Sequence, residues 1–284
     1  MQLRQFYNLF LEELKALYSY EEASAITNMV FEHFAHTDRT TIITQPGKEI
    51  EQEQLSALEN ALLQLKRNIP VQYIIGHAWF AGHKFEVNPA VLIPRPETEE
   101  LVMEAVDFIK KNNKKSVLDI GTGSGCIPIS IKKQQPATDI TAIDISEEAL
   151  AVAGRNALYN NAAIHFIRLD FLREDNWSQL PQCDVIISNP PYIPETEKDS
   201  LDKNVTLHEP HLALFVPDNQ ALIFYERIAA FGLKHLATNG CIFMETHEAL
   251  AQQVARHFEE KGYEAVIKKD FFEKERMVIA NRSH

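Results

Sequence analysis

The amino-acid sequence predicts an α/β protein in which a small N-terminal helical bundle and a hairpin connector precede a seven-stranded, mostly parallel, doubly wound sheet. Three observations predict it. Apolar residues recur at three- and four-residue steps through the first 70 residues, as they do in amphipathic helices. Short apolar runs broken by glycine follow, which is typical of a hairpin. From residue 116 onwards, apolar runs alternate with helical patterns, which favours parallel strands joined by helices.

Three apolar stripes indicate helices in the N-terminal region. They are Leu3-Phe6-Phe10-Leu14-Leu17, Ala23-Ile26-Val30-Phe34 and Leu55-Leu58-Leu62-Leu65-Ile69. Short amphipathic helices can bury such stripes only against one another, so residues 1–70 are predicted to form a helical domain. Residues 71–93 are predicted to form the hairpin linker. Residues 94–284 are predicted to form the α/β domain, which begins with a helix because Pro96 and acidic residues mark a helix start.

Seven short apolar runs of the α/β domain are predicted to be strands. In chain order they cover residues 116–120, 139–144, 164–169, 184–188, 240–245, 263–267 and 276–280. The alternation of strands with helices places helices on both faces of the sheet. The carboxyl ends of the parallel strands then share one edge, which is where open α/β sheets bind ligands.

The composition is that of an ordinary globular protein, with 45% hydrophobic and 24% charged residues in 284 positions. The formal net charge of −12 disfavours a nucleic-acid partner, because phosphate binding depends on clustered Lys and Arg. We therefore expect no direct sequence-specific contact with nucleic acid, and a basic protein partner fits better. No long apolar run is present, so no membrane span is expected.

The cysteines and the N-terminus indicate the compartment. Cys126, Cys183 and Cys241 are too few and too widely spaced for a disulfide framework or a zinc site. The first residues lack the charged-then-apolar layout of a signal peptide. We expect packed thiols, no bound metal and a cytoplasmic protein.

A glycine-rich turn, Asp119-Ile120-Gly121-Thr122-Gly123-Ser124-Gly125, follows the first predicted strand. Glycines there let the backbone approach a ligand and present amide N–H groups at a helix N-terminus. The spacing differs from that of dinucleotide binders, and no phosphate-binding Gly-Lys-Ser/Thr follows. Asp144 ends the second predicted strand, where a carboxylate can accept hydrogen bonds from both hydroxyls of a ribose. Its alternative interpretation is a helix cap, for which Ser146 is better placed.

Asp170 and Phe171 end the third predicted strand. The Asp170 carboxylate could accept a hydrogen bond from an adenine amino group, and the Phe171 ring could cover the adenine face. An ordinary surface carboxylate next to a core ring is an equally open interpretation.

Asn189-Pro190-Pro191-Tyr192 follows the fourth predicted strand and is the most specific feature of the sequence. Two consecutive prolines fix the backbone and remove two N–H donors. The Pro190 carbonyl and the Asn189 side-chain oxygen then remain as acceptors for an NH2 group, while Tyr192 could stack on a planar amide or base. A rigid turn with an Asn cap is the structural alternative. The motif alone indicates a site that holds an amide or amine nitrogen, without choosing between the two.

These motifs together resemble the class I S-adenosylmethionine-dependent methyltransferases. Within that class, the chain is most similar to the HemK/PrmC peptide-chain release factor glutamine N5-methyltransferases. This closer resemblance rests on Gln72-Tyr73-Ile74-Ile75-Gly76, Phe80, Phe85-x-Val87, Leu92-Ile93-Pro94-Arg95-Pro96-Glu97-Thr98-Glu99, His208-Glu209-Pro210 and Ala213-Leu214. It runs from the helical region to the last predicted strand and so covers essentially the whole chain.

The resemblance implies methyl transfer from S-adenosylmethionine to the glutamine side-chain amide in the Gly-Gly-Gln motif of release factors, with the helical domain as docking surface. The cofactor-binding residues would be Gly121, Thr122, Gly123, Ser124, Gly125, Asp144, Asp170, Phe171 and Asn189, with Asp170 included because it ends the third predicted strand. The glutamine would be bound by Asn189, Pro190, Pro191 and Tyr192, with Asn189, Pro190 and Tyr192 as the catalytic residues. Phe171 stands where relatives can carry Trp, and residues 215–219 lack the glycines expected of the family.

Three other functions stay open on the sequence. The same Asn-Pro-Pro-Tyr motif could hold a nucleobase amino group or a glutamine of a ribosomal protein, and a non-enzymatic adaptor with an inactive fold is the third. No general base is identified. Glu97 or Glu209 could assist proton removal, or Arg95 could simply pair with a carboxylate.

Overall fold

The computed structural model describes residues 1–282, so the last two residues of the predicted 94–284 domain, Ser283 and His284, lie outside the described residues. The chain divides into two compact units. The first, here called the helical unit, comprises Met1–Gly76 and Asp202–His208. The second, here called the sheet unit, comprises His77–Leu201 and the chain from Glu209 onwards.

The described residues form the following regular elements. The α-helices are α1 (Leu3–Leu14), α2 (Tyr20–Phe34), α3 (Arg39–Thr44), α4 (Gln52–Leu65), α5 (Val71–Ile75), α6 (Pro96–Lys111), α7 (Cys126–Gln134), α8 (Glu147–Tyr159), α9 (Lys203–His208), α10 (His211–Leu214), α11 (Ile223–His235) and α12 (Ala251–Glu260). The strands are β1 (His77–Phe80), β2 (His83–Glu86), β3 (Ser116–Ile120), β4 (Asp139–Asp144), β5 (His165–Arg168), β6 (Cys183–Ser188), β7 (Ile193–Pro194), β8 (Phe215–Val216), β9 (Leu236–Glu245), β10 (Tyr263–Lys269) and β11 (Glu275–Arg282). Short 3₁₀ helices cover Glu174–Gln179, Glu195–Ser200 and Asp218–Gln220.

The helical unit has a core of its own. The apolar stripes of α1, α2 and α4 meet there, with Phe10, Phe31 and Leu58 fully buried. Ser19 and Asp38 cap α2 and α3 by accepting from backbone N–H groups three residues on. Leu17, the last member of the first predicted stripe, lies beyond the end of α1 and is 46% exposed. The stripe therefore predicted the helix but overestimated its length.

Residues 71–75 differ from the sequence prediction, which began the hairpin at residue 71. They form the short helix α5, and Val71 and Ile75 join the core of the helical unit. Pro70 precedes the helix with an extended backbone, and Gly76 ends it with a φ of 74°. A proline before and a left-handed glycine after a short apolar run are helix boundaries as well as turn signals.

The hairpin itself forms as predicted, in antiparallel register with Phe80 opposite His83. Ala81 and Gly82 make the turn with φ angles of 48° and 76°, the positive values that tight hairpin turns require. Phe80 and Phe85 are buried against the sheet unit's core, with ring centroids 6.1 Å apart.

The main sheet has seven strands in the order β10-β11-β9-β6-β3-β4-β5. Neighbouring strands are parallel from β9 to β5, and β11 is antiparallel to both β9 and β10. The predicted fold class is confirmed. Leu118, Val185 and Ile186 are fully buried, as expected of central strands covered by helices on both faces. No helix of the described residues is long and apolar enough to cross a membrane.

The topology creates one crevice at the carboxyl edge of this sheet. From β3 the chain moves through β4 to β5, and it then returns to the opposite side of β3 to form β6. Ligands of open α/β sheets bind outside the strand ends at such a reversal. The two segments that follow β3 and β6, the glycine turn and Asn189-Pro190-Pro191-Tyr192, flank this crevice.

Two helical glycines allow a direct test of the packing. A Cβ on Gly232 in α11 would lie 2.5 Å from Tyr263 Oη and 2.9 Å from Ile242 Cδ1, whereas a Cβ on Gly154 in α8 would meet nothing within 4 Å. We predict that Gly232→Ala lowers the free energy of unfolding by about 1–3 kcal/mol. Gly154→Ala should raise it by up to about 1 kcal/mol through helix propensity. Urea unfolding of both variants checks this, and effects of the same sign would contradict it.

Candidate active site

A cavity of about 270 Å³ lies at the carboxyl edge of the sheet, entirely within the sheet unit. It collects residues that follow β3, β4, β5 and β6. Of the predicted site residues, those that line it are Gly121, Gly123, Asp144, Asp170, Phe171, Asn189 and Pro191. Thr122, Ser124, Gly125, Pro190 and Tyr192 are not among its lining residues. The structure thus brings together residues from four separate places in the sequence.

The glycine turn directs its amides inward. The N–H groups of Gly121 and Thr122 donate to the Ile143 carbonyl at 2.9 Å, and that of Gly123 donates to Asp144 Oδ2 at 2.8 Å. The Gly125 N–H donates to the Thr122 carbonyl at 2.9 Å. The expectation that this turn presents its amides to a ligand is therefore wrong for these four groups. The reason is the positive φ of the three glycines, which curls the turn back onto the end of β4.

The same glycines have two different uses. At Gly121 and Gly123 an added Cβ would meet nothing within 4 Å, and both residues line the cavity. A bound molecule can therefore approach their backbone directly. At Gly125 an added Cβ would lie 3.1 Å from Ala153 Cβ in α8, so this glycine permits close packing of the helices.

Asp144 is a carboxylate in the wall of the cavity. Its Oδ2 accepts from the Gly123 N–H, and its Oδ1 accepts from the Ser146 N–H at 2.9 Å. Ser146 in turn caps α8 by accepting from the Ala149 N–H, as the sequence favoured. Burial raises the pKa of Asp144, while its backbone hydrogen bonds oppose that rise. Each oxygen retains lone pairs for a further donor, such as a ribose hydroxyl.

Asp119 is the most deeply buried acid beside the cavity. Its side chain is fully buried at the end of β3, and neither oxygen has a hydrogen-bond partner among the described residues. Burial raises the pKa of Asp119 to about 7; the nearby Thr122 hydroxyl opposes this rise, and the negative charge of Asp144 adds to it. The carboxyl group therefore keeps its proton to a higher pH than an exposed aspartate does.

Asp170 and Phe171 occupy one end of the cavity. Asp170 Oδ1 accepts from the Leu172 N–H at 3.1 Å, and Phe171 is 4% exposed. The Phe171 ring stacks on Trp177 at 5.6 Å and meets Phe231 edge-on at 5.4 Å between centroids. The ring is held in the core and presents one part of its surface to the cavity.

Asn189 is hydrogen-bonded to Thr98, which is hydrogen-bonded in turn to Glu245, and neither residue was predicted to belong to the site. Asn189 Nδ2 donates to Thr98 Oγ1 at 3.1 Å, and the Thr98 hydroxyl donates to Glu245 Oε2 at 2.6 Å. Tyr192 Oη donates to the other oxygen of Glu245 at 3.4 Å. Burial raises the pKa of Glu245, opposed by the Thr98 hydrogen bond and the positive charge of Arg276. Burial likewise raises the pKa of Tyr192, so its phenol stays protonated.

The chain beyond Tyr192 is fixed by a two-residue strand pair. Ile193 and Pro194 in β7 lie parallel to Phe215 and Val216 in β8. Residues 215–219, which lack the expected glycines, thus begin as a strand and continue into the 3₁₀ helix Asp218–Gln220. Thr196 N–H donates to Asp218 Oδ1 at 2.8 Å, which closes this loop.

Glu209 has a structural partner. Arg95 Nη2 donates to Glu209 Oε1 at 2.5 Å, and the Ile93 N–H donates to its Oε2 at 3.2 Å. The Glu209 side chain is 1% exposed. Of the two interpretations of this residue, the ion pair with Arg95 is the one that the structure contains. The pair joins the segment before α6 to Pro210, which lines the cavity.

Comparison with known proteins identifies the family. Two family models match: the PrmC N-terminal domain over residues 5–76 and the methyltransferase small domain over residues 100–208. The release factor glutamine methyltransferase of Flavobacterium psychrophilum is 38% identical over 289 residues, covering 99% of both chains. The chain belongs to the release factor glutamine methyltransferase family. The protein of that name from Bacteroides thetaiotaomicron is 43% identical, over 95% of this chain and 97% of its own.

A solved methyltransferase from Pyrococcus furiosus supports the fold alone. It is 18% identical, with a TM-score of 0.51, over 80% of this chain and all of that one. Family membership confirms the resemblance read from the sequence. The chain is a methyltransferase, and S-adenosyl-L-methionine is its methyl donor.

The cavity suits this donor, whose sulfur carries a positive charge. The described residues that line the cavity include three carboxylates, Asp144, Glu148 and Asp170, and no Lys or Arg. Most of the remaining wall is apolar, as a nucleoside base requires. Leu92, Pro210 and Ala213 complete this wall. They belong to the motifs that carry the family resemblance, and no role was predicted for them from the sequence.

Asp119, Thr98 and Glu245 were not predicted as site residues from the sequence. A signal existed for Asp119 and Glu245, because each lies at or next to the end of a predicted strand at the binding edge. Thr98 is part of the Arg-Pro-Glu-Thr-Glu motif but carries no independent sign of its contacts. Its partners lie 91 and 147 residues away in the sequence.

Asp119 predicts a pH dependence of stability. In the unfolded chain Asp119 loses its proton near pH 4, roughly the ordinary pKa of an aspartate, whereas in the folded chain it keeps the proton to a higher pH. This contribution to stability is complete below about pH 4 and is lost as the pH rises through about 7. We predict that Asp119→Asn gains about 1–4 kcal/mol of unfolding free energy relative to the wild type between pH 4 and pH 8. Urea unfolding without the methyl donor measures it, and a pH-independent difference would contradict it.

Proposed function

We propose that this chain transfers a methyl group from S-adenosyl-L-methionine to the side-chain amide nitrogen, N5, of the glutamine in the Gly-Gly-Gln motif of peptide-chain release factors. The observation that carries the proposal is the position of Asn189 and Pro191. Both line the same cavity as Asp144, at the edge of the sheet where ligands bind. The names of the relatives, which are release factor glutamine methyltransferases along almost their full length, support the choice of substrate.

Orientation is the main contribution of the protein to this reaction. An amide nitrogen is a weak nucleophile because its lone pair is delocalised into the carbonyl group. The Asn189 side-chain oxygen and the Pro190 carbonyl accept hydrogen bonds from the substrate NH2 group, which fixes the plane of the amide and turns one face toward the methyl group. Pro191, which lines the cavity, supports that plane, and Tyr192 holds the end of the motif through its hydrogen bond to Glu245. The bound donor supplies a methyl group on a positively charged sulfur.

The step balances without a metal or a covalent intermediate with the protein. The bond from nitrogen to the methyl carbon forms as the bond from sulfur to that carbon breaks, and the electron pair stays on sulfur. The nitrogen then releases one proton to solvent. Since Glu209 is engaged by Arg95, we assign no general base to it.

The methyl donor is held by the residues around the crevice at the carboxyl edge of the sheet. Asp144 would bind the ribose hydroxyls of the donor, and Asp170 and Phe171 would bind its adenine. The donor would also lie against the backbone of Gly121 and Gly123. Thr122, Ser124 and Gly125 act through the shape of the turn, since they do not line the cavity. Asn189 lies where donor and substrate meet.

The partner is a protein. We propose that the helical unit contributes docking surface for the release factor, with no sequence-specific contact to nucleic acid, and that the reaction takes place in the cytoplasm. The net charge of −12 supports a protein partner over a nucleic acid. A ribosomal-protein glutamine and a nucleobase amino group are the alternative acceptors that the experiment must separate.

We predict that purified release factor gains one methyl group on the Gly-Gly-Gln glutamine when incubated with the chain and the donor. Asn189→Ala should lower kcat/KM by about 100-fold or more, because one of two acceptors for the amide is removed. Asn112→Ala, an exposed position at the end of α6, is the matched control and should keep the wild-type rate. Mass spectrometry of the tryptic peptide measures both.

The same assay includes ribosomal proteins and RNA as competing acceptors. A methyl group found on either of them, with unmodified release factor, would refute the proposed substrate. Equal activity of Asn189→Ala and the wild type would refute the role of Asn189.

We also predict that Asp144→Asn weakens binding of S-adenosyl-L-methionine by about 10-fold or more, because a hydrogen bond to a charged acceptor is worth about 1.5–3 kcal/mol. Asp139→Asn removes an exposed carboxylate at the opposite end of the same strand and serves as the control. Isothermal titration calorimetry measures both affinities. Equal affinity of the Asp144 variant and the wild type would argue against ribose binding at this residue.

A further inference from the structure

A buried acid lies behind Asn189 and reaches it through a threonine hydroxyl. Glu245 ends β9, the neighbour of β6 in the sheet, and is 3% exposed. Thr98, in the first turn of α6, is also 3% exposed. Its hydroxyl donates to Glu245 Oε2 at 2.6 Å and accepts from Asn189 Nδ2 at 3.1 Å. Three separate elements thus meet in one chain of hydrogen bonds that ends at the cavity.

We propose that Thr98 and Glu245 are positioning residues that determine which end of the Asn189 amide faces the substrate. The inference rests on the proposed function, because it concerns how Asn189 receives a substrate NH2 group. It assigns to Thr98 and Glu245 a part in the reaction, although neither side chain lines the cavity.

The direction follows from the donor and acceptor properties of the three groups. Both Glu245 oxygens accept hydrogen bonds, one from the Thr98 hydroxyl and the other from Tyr192 Oη, so the single proton of the Thr98 hydroxyl is directed to Glu245. The Thr98 oxygen then has only lone pairs left for Asn189 and must accept. Asn189 can satisfy it only with Nδ2, which leaves Oδ1 on the other side of the amide.

This direction matters for the substrate. A primary amide nitrogen brings two N–H donors, and the Oδ1 of Asn189 is the group that can accept one of them. With the Asn189 amide turned over, Nδ2 would face the substrate nitrogen, donor against donor. The acid behind the site thus keeps the acceptor toward the substrate without touching it.

Glu245 also holds the other end of the same segment. Its Oε1 accepts from Tyr192 Oη at 3.4 Å, while its backbone carbonyl accepts from Tyr225 Oη at 3.0 Å. One side chain therefore fixes both Asn189, through Thr98, and Tyr192 directly. Since the two intervening prolines are rigid, the whole motif is held at its two ends.

The test compares two substitutions at Thr98 and one at Glu245. Thr98→Ser keeps the hydroxyl and should retain kcat within about three-fold of the wild type. Thr98→Val keeps the shape without the hydroxyl and should lower kcat by about 10- to 100-fold, because a misplaced reacting group costs rates of this order. The KM for release factor and the Kd for S-adenosyl-L-methionine should change by less than about three-fold in both. Thr27→Val, a buried threonine of the helical unit, is the control for loss of a buried hydroxyl.

At position 245, glutamine can donate as well as accept, so it no longer imposes one direction. Glu245→Gln should lower kcat by about three-fold or more. If the two residues act in one chain, the double variant should have the kcat of Thr98→Val within about two-fold, so that the losses do not add. Additive losses, or an unchanged kcat in Glu245→Gln, would overturn the proposal.

A readout that needs no activity separates this proposal from the proposed function. The side-chain NH2 signal of Asn189, identified by its absence in Asn189→Ala, should show one hydrogen-bonded proton in the wild type and in Thr98→Ser, and none in Thr98→Val. A wild type that fails to methylate release factor but shows this pattern refutes the substrate and leaves the orientation of Asn189 supported. Equal signals in the Ser and Val variants, or a kcat loss in Thr98→Val accompanied by lost donor binding, would overturn the orientation.

Discussion

The pairing of β3 with both β4 and β6 is the constraint on which the site depends. β3 aligns Ile120 with Ile143 on one side and with Ser188 on the other, so the three strands end at one level. Asp144 and Asn189 each follow these aligned residues directly. A slip of one residue in either register would exchange the two faces of a strand and remove one wall of the cavity.

Burying several acids at this edge costs stability and gives the site its charge. Asp119, Asp144 and Glu245 all have raised pKa values because of burial. Glu245 is partly compensated by the Thr98 hydroxyl and by Arg276, whereas Asp119 has no hydrogen-bond partner among the described residues. A cationic ligand relieves this accumulation of negative charge, so binding of the donor and stability of the sheet are coupled.

The sequence predicted the fold well because its strongest signals are local. Every predicted main-sheet strand forms, and Asn189 and Asp144 reach one cavity because parallel strands end at a common edge. The direction of the glycine-turn amides was not predictable, since glycine adopts positive φ as readily as negative φ and three of the four amides donate to Ile143 or Asp144 on another strand. The roles of Thr98 and Glu245 were not predictable for a similar reason, because the hydrogen bond between them exists only once α6 packs on the sheet.

The helical unit is discontinuous along the chain. Besides the first 76 residues it includes α9, where His208 Nε2 lies 3.0 Å from the Arg67 carbonyl oxygen. During synthesis, N-terminal domains generally fold first. Here the N-terminal unit lacks one helix until the ribosome has translated β3, β4, β5 and β6. Its last piece arrives after Asn189-Pro190-Pro191-Tyr192, so the order in which the protein is made differs from the order in which its parts can be completed.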